Sequence, residues 1–258
     1  MSSNYKEIIG MVHLKPLPTA PRGSLTLNEI VDAALEDLQA LEAGGITTAI
    51  VENMFDAPYA NSPDLETVIA LSYVLGYLAR KSSVRLGVNL QATCGTEEMS
   101  IASICGLDFI RAESFVEMRM NSSGIMRNMC SDLMRKKRAL RSNVRVLADI
   151  NVKHSSPVIQ QSIDDLIHEA IEAGADGIIL TGLVTGSAPS VKDAEVYKKK
   201  CGNTKLYIGS GVSTANVKDL MQFADGVIVG SSIKKDGKVE NPVDVERVKD
   251  LMRALNNG

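Results

Sequence analysis

Short apolar runs and longer amphipathic runs alternate along the whole chain. The short runs are rich in β-branched residues and fall at Glu7–Leu14, Ile46–Asn53, Val84–Leu90, Asp108–Glu113, Val144–Ile150, Asp176–Thr181, Thr204–Gly209 and Asp225–Gly230. Several are nearly continuous in apolar character, as in Ile178-Ile179-Leu180 and Val227-Ile228-Val229. Strands buried on both faces read that way, as in a parallel sheet covered by helices. Helical patterns fill the gaps. Thr26 and Glu29 have capping-box spacing, and Ile30, Ala34, Leu38 and Leu41 follow at helical period until Gly44-Gly45. Ser62-Pro63, Ser190 with Asp193, and Asn241-Pro242 repeat the start signals. Further helices are expected near Thr96–Cys105, Ser131–Arg141, Ser162–Ala173 and Ser213–Phe223.

The junctions Gly44-Gly45-Ile46, Gly106-Leu107-Asp108, Gly174-Ala175-Asp176 and Ala224-Asp225-Gly226 each start an apolar strand after a helix. Eight strands alternating with helices predict an α/β fold, a single-domain (β/α)8 TIM barrel over 1–258 with a parallel eight-stranded core. An open doubly wound sheet is the alternative. The length of 258 residues is usual for one such barrel. Ser114–Cys130 departs from the pattern. It is long, Met-rich and poorly periodic, and it reads either as a lid after strand 4 or as a surface excursion.

Composition narrows the partners. A formal net charge of −3 offers no basic field to nucleic acid or to an anionic membrane. Aromatic residues make up 4% and Trp is absent, which argues against a base-stacking surface. No apolar run reaches the length of a membrane span, and the polar Met1–Lys6 segment leads directly into a strand. A cytoplasmic protein without signal peptide or transmembrane segment is therefore expected. Cys94, Cys105, Cys130 and Cys201 form no C-x-x-C pair and fit no disulfide or zinc spacing, so reduced thiols are expected.

Two turns carry the strongest chemical signal. Gly209-Ser210-Gly211-Val212-Ser213 ends strand 7, and Gly230-Ser231-Ser232 ends strand 8. Glycines let backbone N–H groups approach an anion, hydroxyls add donors, and a following helix adds its positive end. Barrels most often hold phosphate after these two strands. Gly209, Ser210, Gly211, Gly230 and Ser231 are thus read as a pocket for a phosphorylated small molecule, with Lys234 and Lys235 as sources of charge.

The other signal is polarity at strand ends. In a barrel these positions face the active site, whereas polar residues elsewhere in a strand face a packed core. Strand 1 ends with His13, strand 2 with Glu52 and Asn53, and strand 3 carries Asn89, then Gln91. Strand 4 carries Arg111 and Glu113, and strand 5 Asp149, followed by Asn151, Lys153 and His154. Strand 6 ends with Thr181, with Thr185 in its loop. Burying such charges unpaired costs several kcal/mol each, so their convergence fits a ligand-filled mouth better than a core. His13, Glu52, Asn89, Arg111, Asp149, Lys153 and His154 form the candidate catalytic set, and Asn53, Thr181 and Thr185 are candidate substrate contacts. Structural readings stand beside these. His13 reads equally as a backbone-bonded core imidazole, Glu52 with Arg111 equally as an ion pair, and Glu113 as a rim residue. Lys153 is open among phosphate contact, proton carrier and imine-forming amine. A divalent metal on some of His13, Glu52, Asp149 and His154 is a minority reading, since no tight ligand motif is present.

These motifs together resemble the BtpA/SgcQ family. The matching stretches are Ile9-Gly10-Met11-Val12-His13-Leu14-Lys15-Pro16-Leu17-Pro18, Val51-Glu52-Asn53 with Ala57-Pro58, and Leu86-Gly87-Val88-Asn89. Phe109-Ile110-Arg111, Ala148-Asp149 with Val152-Lys153-His154, Thr181-Gly182 with Thr185-Gly186, Gly209-Ser210-Gly211, and Val229-Gly230-Ser231 with Lys234 continue the set. The resemblance implies a (β/α)8 barrel. One branch of the family is named for photosystem I biogenesis at a membrane, and another occurs beside sugar-uptake and sugar-metabolism genes. No reaction comes with it. Thr93-Cys94 stands where the family usually has Asn-Asp, and the segment after strand 4 also differs.

The expected function is an enzyme acting on a phosphorylated, sugar phosphate-like metabolite by isomerase, epimerase or aldolase-type chemistry. Asp149 or Glu52 is read as base and His13 or His154 as acid. The alternative is a non-catalytic assembly or stability factor for a membrane complex. A homo-oligomer is the default expectation for such a barrel.

Overall fold

The computed structural model describes residues 6–91, 93–152, 154–181 and 189–256. The barrel strands are β1 Glu7–His13, β2 Thr48–Glu52, β3 Arg85–Asn89, β4 Phe109–Ala112, β5 Arg145–Ile150, β6 Gly177–Leu180, β7 Lys205–Ile208 and β8 Gly226–Val229. Each pairs in parallel with its neighbour in the chain, and β8 closes on β1. The helices are α1 Leu27–Gly44, α2 Leu65–Lys81, α3 Gly95–Cys105, α4 Cys130–Ala139, α5 Ile163–Glu172, α6 Val191–Cys201, α7 Val217–Phe223 and α8 Val245–Asn256. The doubly wound alternative is excluded by closure. Among the described residues no helix is long and apolar enough to cross a membrane.

Thr26 and Ser190 form the expected capping boxes. Two other start signals fall earlier than the helices they precede. Asp64, not Ser62, caps α2, because its carboxylate accepts from the Thr67 N–H. At α8 the Asp244 carboxylate accepts from Glu246 and Arg247, three residues beyond Asn241. In each case a charged acceptor nearer the first turn takes the free N–H groups.

Closure divides each strand into an outer and an inner face with period two. Ile8, Val12, Ala49 and Val51 pack outward against the helices. Inward, the barrel is filled in storeys. At the bottom the Glu7 carboxylate meets Arg85 at 2.9 Å and Arg145 at 3.4 Å, and the Tyr207 hydroxyl donates to it at 2.8 Å. Above lies an apolar layer of Ile9, Ile50, Phe109, Leu147, Ile179 and Ile228. Full burial stabilises by roughly 1.5–3 kcal/mol for each such side chain. Gly87 makes room for this layer, since a Cβ there would lie 2.3 Å from the Phe109 ring. The third storey is polar and forms the mouth.

The segment after β4 is neither disordered in pattern nor helical. It folds into a hairpin of Arg119–Asn121 and Gly124–Met126, extended by Ser156–Pro157 from the β5 loop.

Lys234 does not serve the anion turns as the sequence suggested. Its side chain is buried, and its ammonium lies 2.6 Å from Asp37 of α1. The same carboxylate accepts from the Val243 N–H at 2.6 Å, so Asp37 ties the β8 loop to the first helix. An Asp37→Ala variant leaves an unpaired buried ammonium and is expected to lose about 3–5 kcal/mol of stability. A double variant, Asp37→Leu with Lys234→Met, is expected to lose less in equilibrium urea unfolding.

Candidate functional site

A cavity of about 730 Å³ occupies the C-terminal mouth of the barrel. The parallel register sets His13, Glu52 and Asn89 side by side on β1, β2 and β3. His13, Glu52, Arg111, His154 and Thr181 line the cavity. Gly209, Ser210, Gly211, Gly230 and Ser231 line it too. The strand-end polar groups and the two glycine-serine turns therefore share one space. A Cβ placed on Gly230 would lie 3.6 Å from the His13 ring.

Three of the sequence-derived residues stand behind the wall. Asp149 is fully buried and accepts from Arg111 Nε at 2.7 Å and Nη2 at 3.3 Å. Arg111 thus pairs with Asp149 rather than with Glu52, because both project inward from adjacent strands. Glu52 instead accepts from the Gln91 side-chain amide, and its other oxygen lies 3.7 Å from His13 Nε2. Asn53 wires loops together. Its amide donates to Asp56 at 3.0 Å and its oxygen accepts from the Gln91 N–H at 2.9 Å. Asp56 in turn accepts from the Leu17 N–H. Asn89 donates to Glu113 at 3.2 Å. Lys153 and Thr185 lie outside the described residues.

Sequence reasoning underrated Glu113. Strand parity could have found it, because Phe109, Arg111 and Glu113 alternate onto the inner face. Tyr59 and Gln91 also line the cavity, as do Asn121 and Met126 from the hairpin. The hairpin therefore walls the mouth.

Burial governs protonation here. It drives the His13 imidazole down to about 3, helped by Lys234 and Arg111, so the ring is neutral. Burial pushes the Glu113 carboxyl up to about 8, with Glu52 and Asp149 adding to the effect and Arg111 opposing it. Glu52 is raised by the same burial, against Arg111 and the Gln91 bond. Burial also works against charge on Arg111, but Asp149, Glu52 and Glu113 together hold it ionised. Among the described residues no group of three or more His, Cys, Asp or Glu side chains is placed to hold a metal ion.

The two glycine-serine turns are built without an α-helix directly behind them. Gly211 has φ +69°, a conformation that favours glycine. The Ser232 hydroxyl donates to the Val212 carbonyl at 2.7 Å and lashes the two turns together. Asn216 donates to the Gly211 carbonyl at 2.9 Å. The α7 helix starts only at Val217, and Gly230 leads into a single 3-10 turn, Ser231–Ile233. The helix ends expected directly behind these turns are therefore absent from both.

The loop after β5 is held in unusual backbone. Asn151 and His154 have φ of +56° and +59°. The hairpin clamps this loop. Buried Glu117 accepts from the Asn151 N–H at 2.5 Å and pairs with Arg119. Arg119 donates to the Ser155 hydroxyl at 2.6 Å and carbonyl at 2.9 Å. An Arg119→Met variant is expected to speed native-state hydrogen exchange at the Asn151 amide by about tenfold to a hundredfold, the equivalent of one lost charged hydrogen bond.

His13 has a folded pKa far below its unfolded value of 6.5. As pH falls below that value the unfolded chain takes up a proton that the folded chain refuses. Stability is therefore lost between about pH 6.5 and 3, at up to about 1.4 kcal/mol per pH unit. Replacing His13 with Asn is expected to flatten that limb in chemical denaturation followed against pH.

The sequence profile of the BtpA family matches residues 4–257. The chain is 35% identical over 256 residues to the photosystem I biogenesis protein BtpA of a Synechocystis species, covering 98% of this chain and 89% of that one. It is 35% identical over 253 residues to an uncharacterized protein of Pyrococcus furiosus, covering 98% and 95%. Its fold is similar to that of N-(5'-phosphoribosyl)anthranilate isomerase from Pyrococcus furiosus, with a TM-score of 0.60 at 13% identity over 98% of this chain and 100% of that one. Likeness at that identity is likeness of fold. Both the motifs gathered around the mouth and the match across the chain place this protein in the BtpA family.

Proposed function

We propose that this protein is an enzyme that binds a phosphorylated small metabolite of the sugar-phosphate kind in the barrel mouth and moves protons on it, as isomerases, epimerases and aldolases do. One observation carries the reading: the two glycine-serine turns and the acid, base and guanidinium groups line the same cavity. The phosphate rests on the turn N–H groups and on Ser210 and Ser231. The carbon skeleton then reaches across to His13, Glu52 and Arg111.

A neutral His13 contributes an N–H or a lone pair without adding charge. Arg111, held by Asp149, orients oxygens of the ligand and stabilises negative charge that develops on them. The fold is one that a phosphoribosylanthranilate isomerase also uses.

The test is a thermal-shift screen of sugar phosphates beside their unphosphorylated parents. A ligand at a hundred times its Kd stabilises by about 2.7 kcal/mol. That corresponds to a Tm rise of roughly 5–10 °C for a domain of this size. The parent sugars are expected to give none. Ser231→Asp places a like charge at the turn and is expected to abolish the shift without lowering the basal Tm by more than about 2 °C.

The similarity to a photosystem I biogenesis protein favours a second reading, a non-catalytic assembly factor. A flat screen together with capture of membrane-complex subunits would select it.

A further inference from the structure

Among the described residues three carboxyl groups, Glu52, Glu113 and Asp149, share the polar storey of the barrel with one guanidinium, Arg111. Arg111 makes its two-point contact with Asp149, which is fully buried behind the cavity wall. One carboxylate is thereby neutralised. Glu52 and Glu113 both remain, both are buried, and both line the cavity. Their hydrogen bonds differ. Glu52 is engaged by the Gln91 amide and faces His13. Glu113 has one oxygen, Oε1, held by Asn89 at 3.2 Å. Among the described residues its other oxygen, Oε2, accepts no hydrogen bond. Among the described residues no second cation pairs with Glu52 or Glu113, and two adjacent buried anions repel, so a proton held by one of them relieves the repulsion.

We propose that Glu113 keeps this proton at neutral pH and is the acid–base residue of the cavity, exchanging it with the ligand through Oε2. The proposal rests on the reading of the mouth as a ligand site and adds the group that performs the transfer. In the forward step the Oε2–H bond breaks as a ligand oxygen or carbon gains the proton, and the electron pair of that bond stays on the Glu113 carboxylate. Arg111 stabilises the carboxylate until a proton from the ligand or from water restores it. No oxidant, reductant or leaving group is needed. Asn89 holds Oε1 and so aims Oε2 at the cavity.

The charged and titratable groups acting on Glu113 come from every side. They are Glu52 from β2, Tyr59 from the loop after it, Arg111 from β4, Asp149 from β5, and Glu98 and Cys94 from α3 and its start. Burial raises Glu113 most, and with Glu52 and Asp149 adding to it and Arg111 and the Asn89 bond opposing, the carboxyl stands at about 8. Glu98 is raised well above its ordinary value by burial too, so it is the group to separate from Glu113.

Infrared difference spectroscopy on the whole protein separates them. At neutral pH the wild type is expected to show the carbonyl stretch of a protonated carboxyl that Glu113→Gln lacks and Glu98→Gln retains. The band is expected to fade as pH rises through about 8. If Glu113→Gln does not fold, the wild type and Glu98→Gln alone assign the fading band. A neutral-pH spectrum with no band beyond that of Glu98 overturns the proposal.

Sulfate, which stays fully ionised, probes the coupling to the anion turns. Its affinity for the wild type is expected to fall about threefold or more between pH 7 and 9 as Glu113 becomes charged, and to stay level in Glu113→Gln. A fall of equal size in the variant counts against Glu113. Absence of sulfate binding to the wild type at either pH counts instead against the anion pocket, and the carboxyl band then decides on Glu113 by itself.

Discussion

A closed barrel of eight strands forces every second residue of each strand into a narrow shared interior. That constraint organises this molecule. The interior must be filled, and filling it with apolar side chains from bottom to top would leave no mouth. Here the middle storey is apolar, with Gly87 yielding space to Phe109. The upper storey is handed to His13, Glu52, Asn89, Arg111 and Asp149. A floor of packed hydrocarbon beneath charged groups lowers the local dielectric. It makes each uncompensated charge in the mouth far more consequential than it would be in water.

Two cations act on His13 among the described residues. Arg111 pairs with Asp149, while Lys234 pairs with Asp37. Burial keeps the imidazole neutral and raises the Glu52 and Glu113 carboxyls above their ordinary values. The alternative design, a fully paired ion network, would be more stable and less useful.

Loops complete the site by holding each other. Asn53 and Asp56 link the loops after β1, β2 and β3. Ser232 joins the two anion turns. Glu117 and Arg119 lock the β5 loop against the hairpin after β4. These bonds run between segments far apart in the chain and tie the described loops of the mouth to one another. The left-handed backbone at Asn151 and His154 persists because this clamp holds it.

How much of this was legible beforehand follows from the range of the interactions. The number of strands, their inward parity and the two glycine-serine turns depend on neighbours two to four residues apart, so periodicity and glycine placement sufficed to read them. His13, Glu52 and Arg111 were found by that parity, and Glu113 obeys it too. Contacts across the barrel were beyond such reading. Arg111 chose Asp149 over Glu52, Lys234 turned away from the anion turns to Asp37, and the Met-rich segment became a wall of the mouth only because of where closure placed their partners. Protonation belongs to the same class, since desolvation exists only once the chain is packed. Local pattern fixed which side chains enter the cylinder, and tertiary structure alone decided which of them meet and which keep their charge.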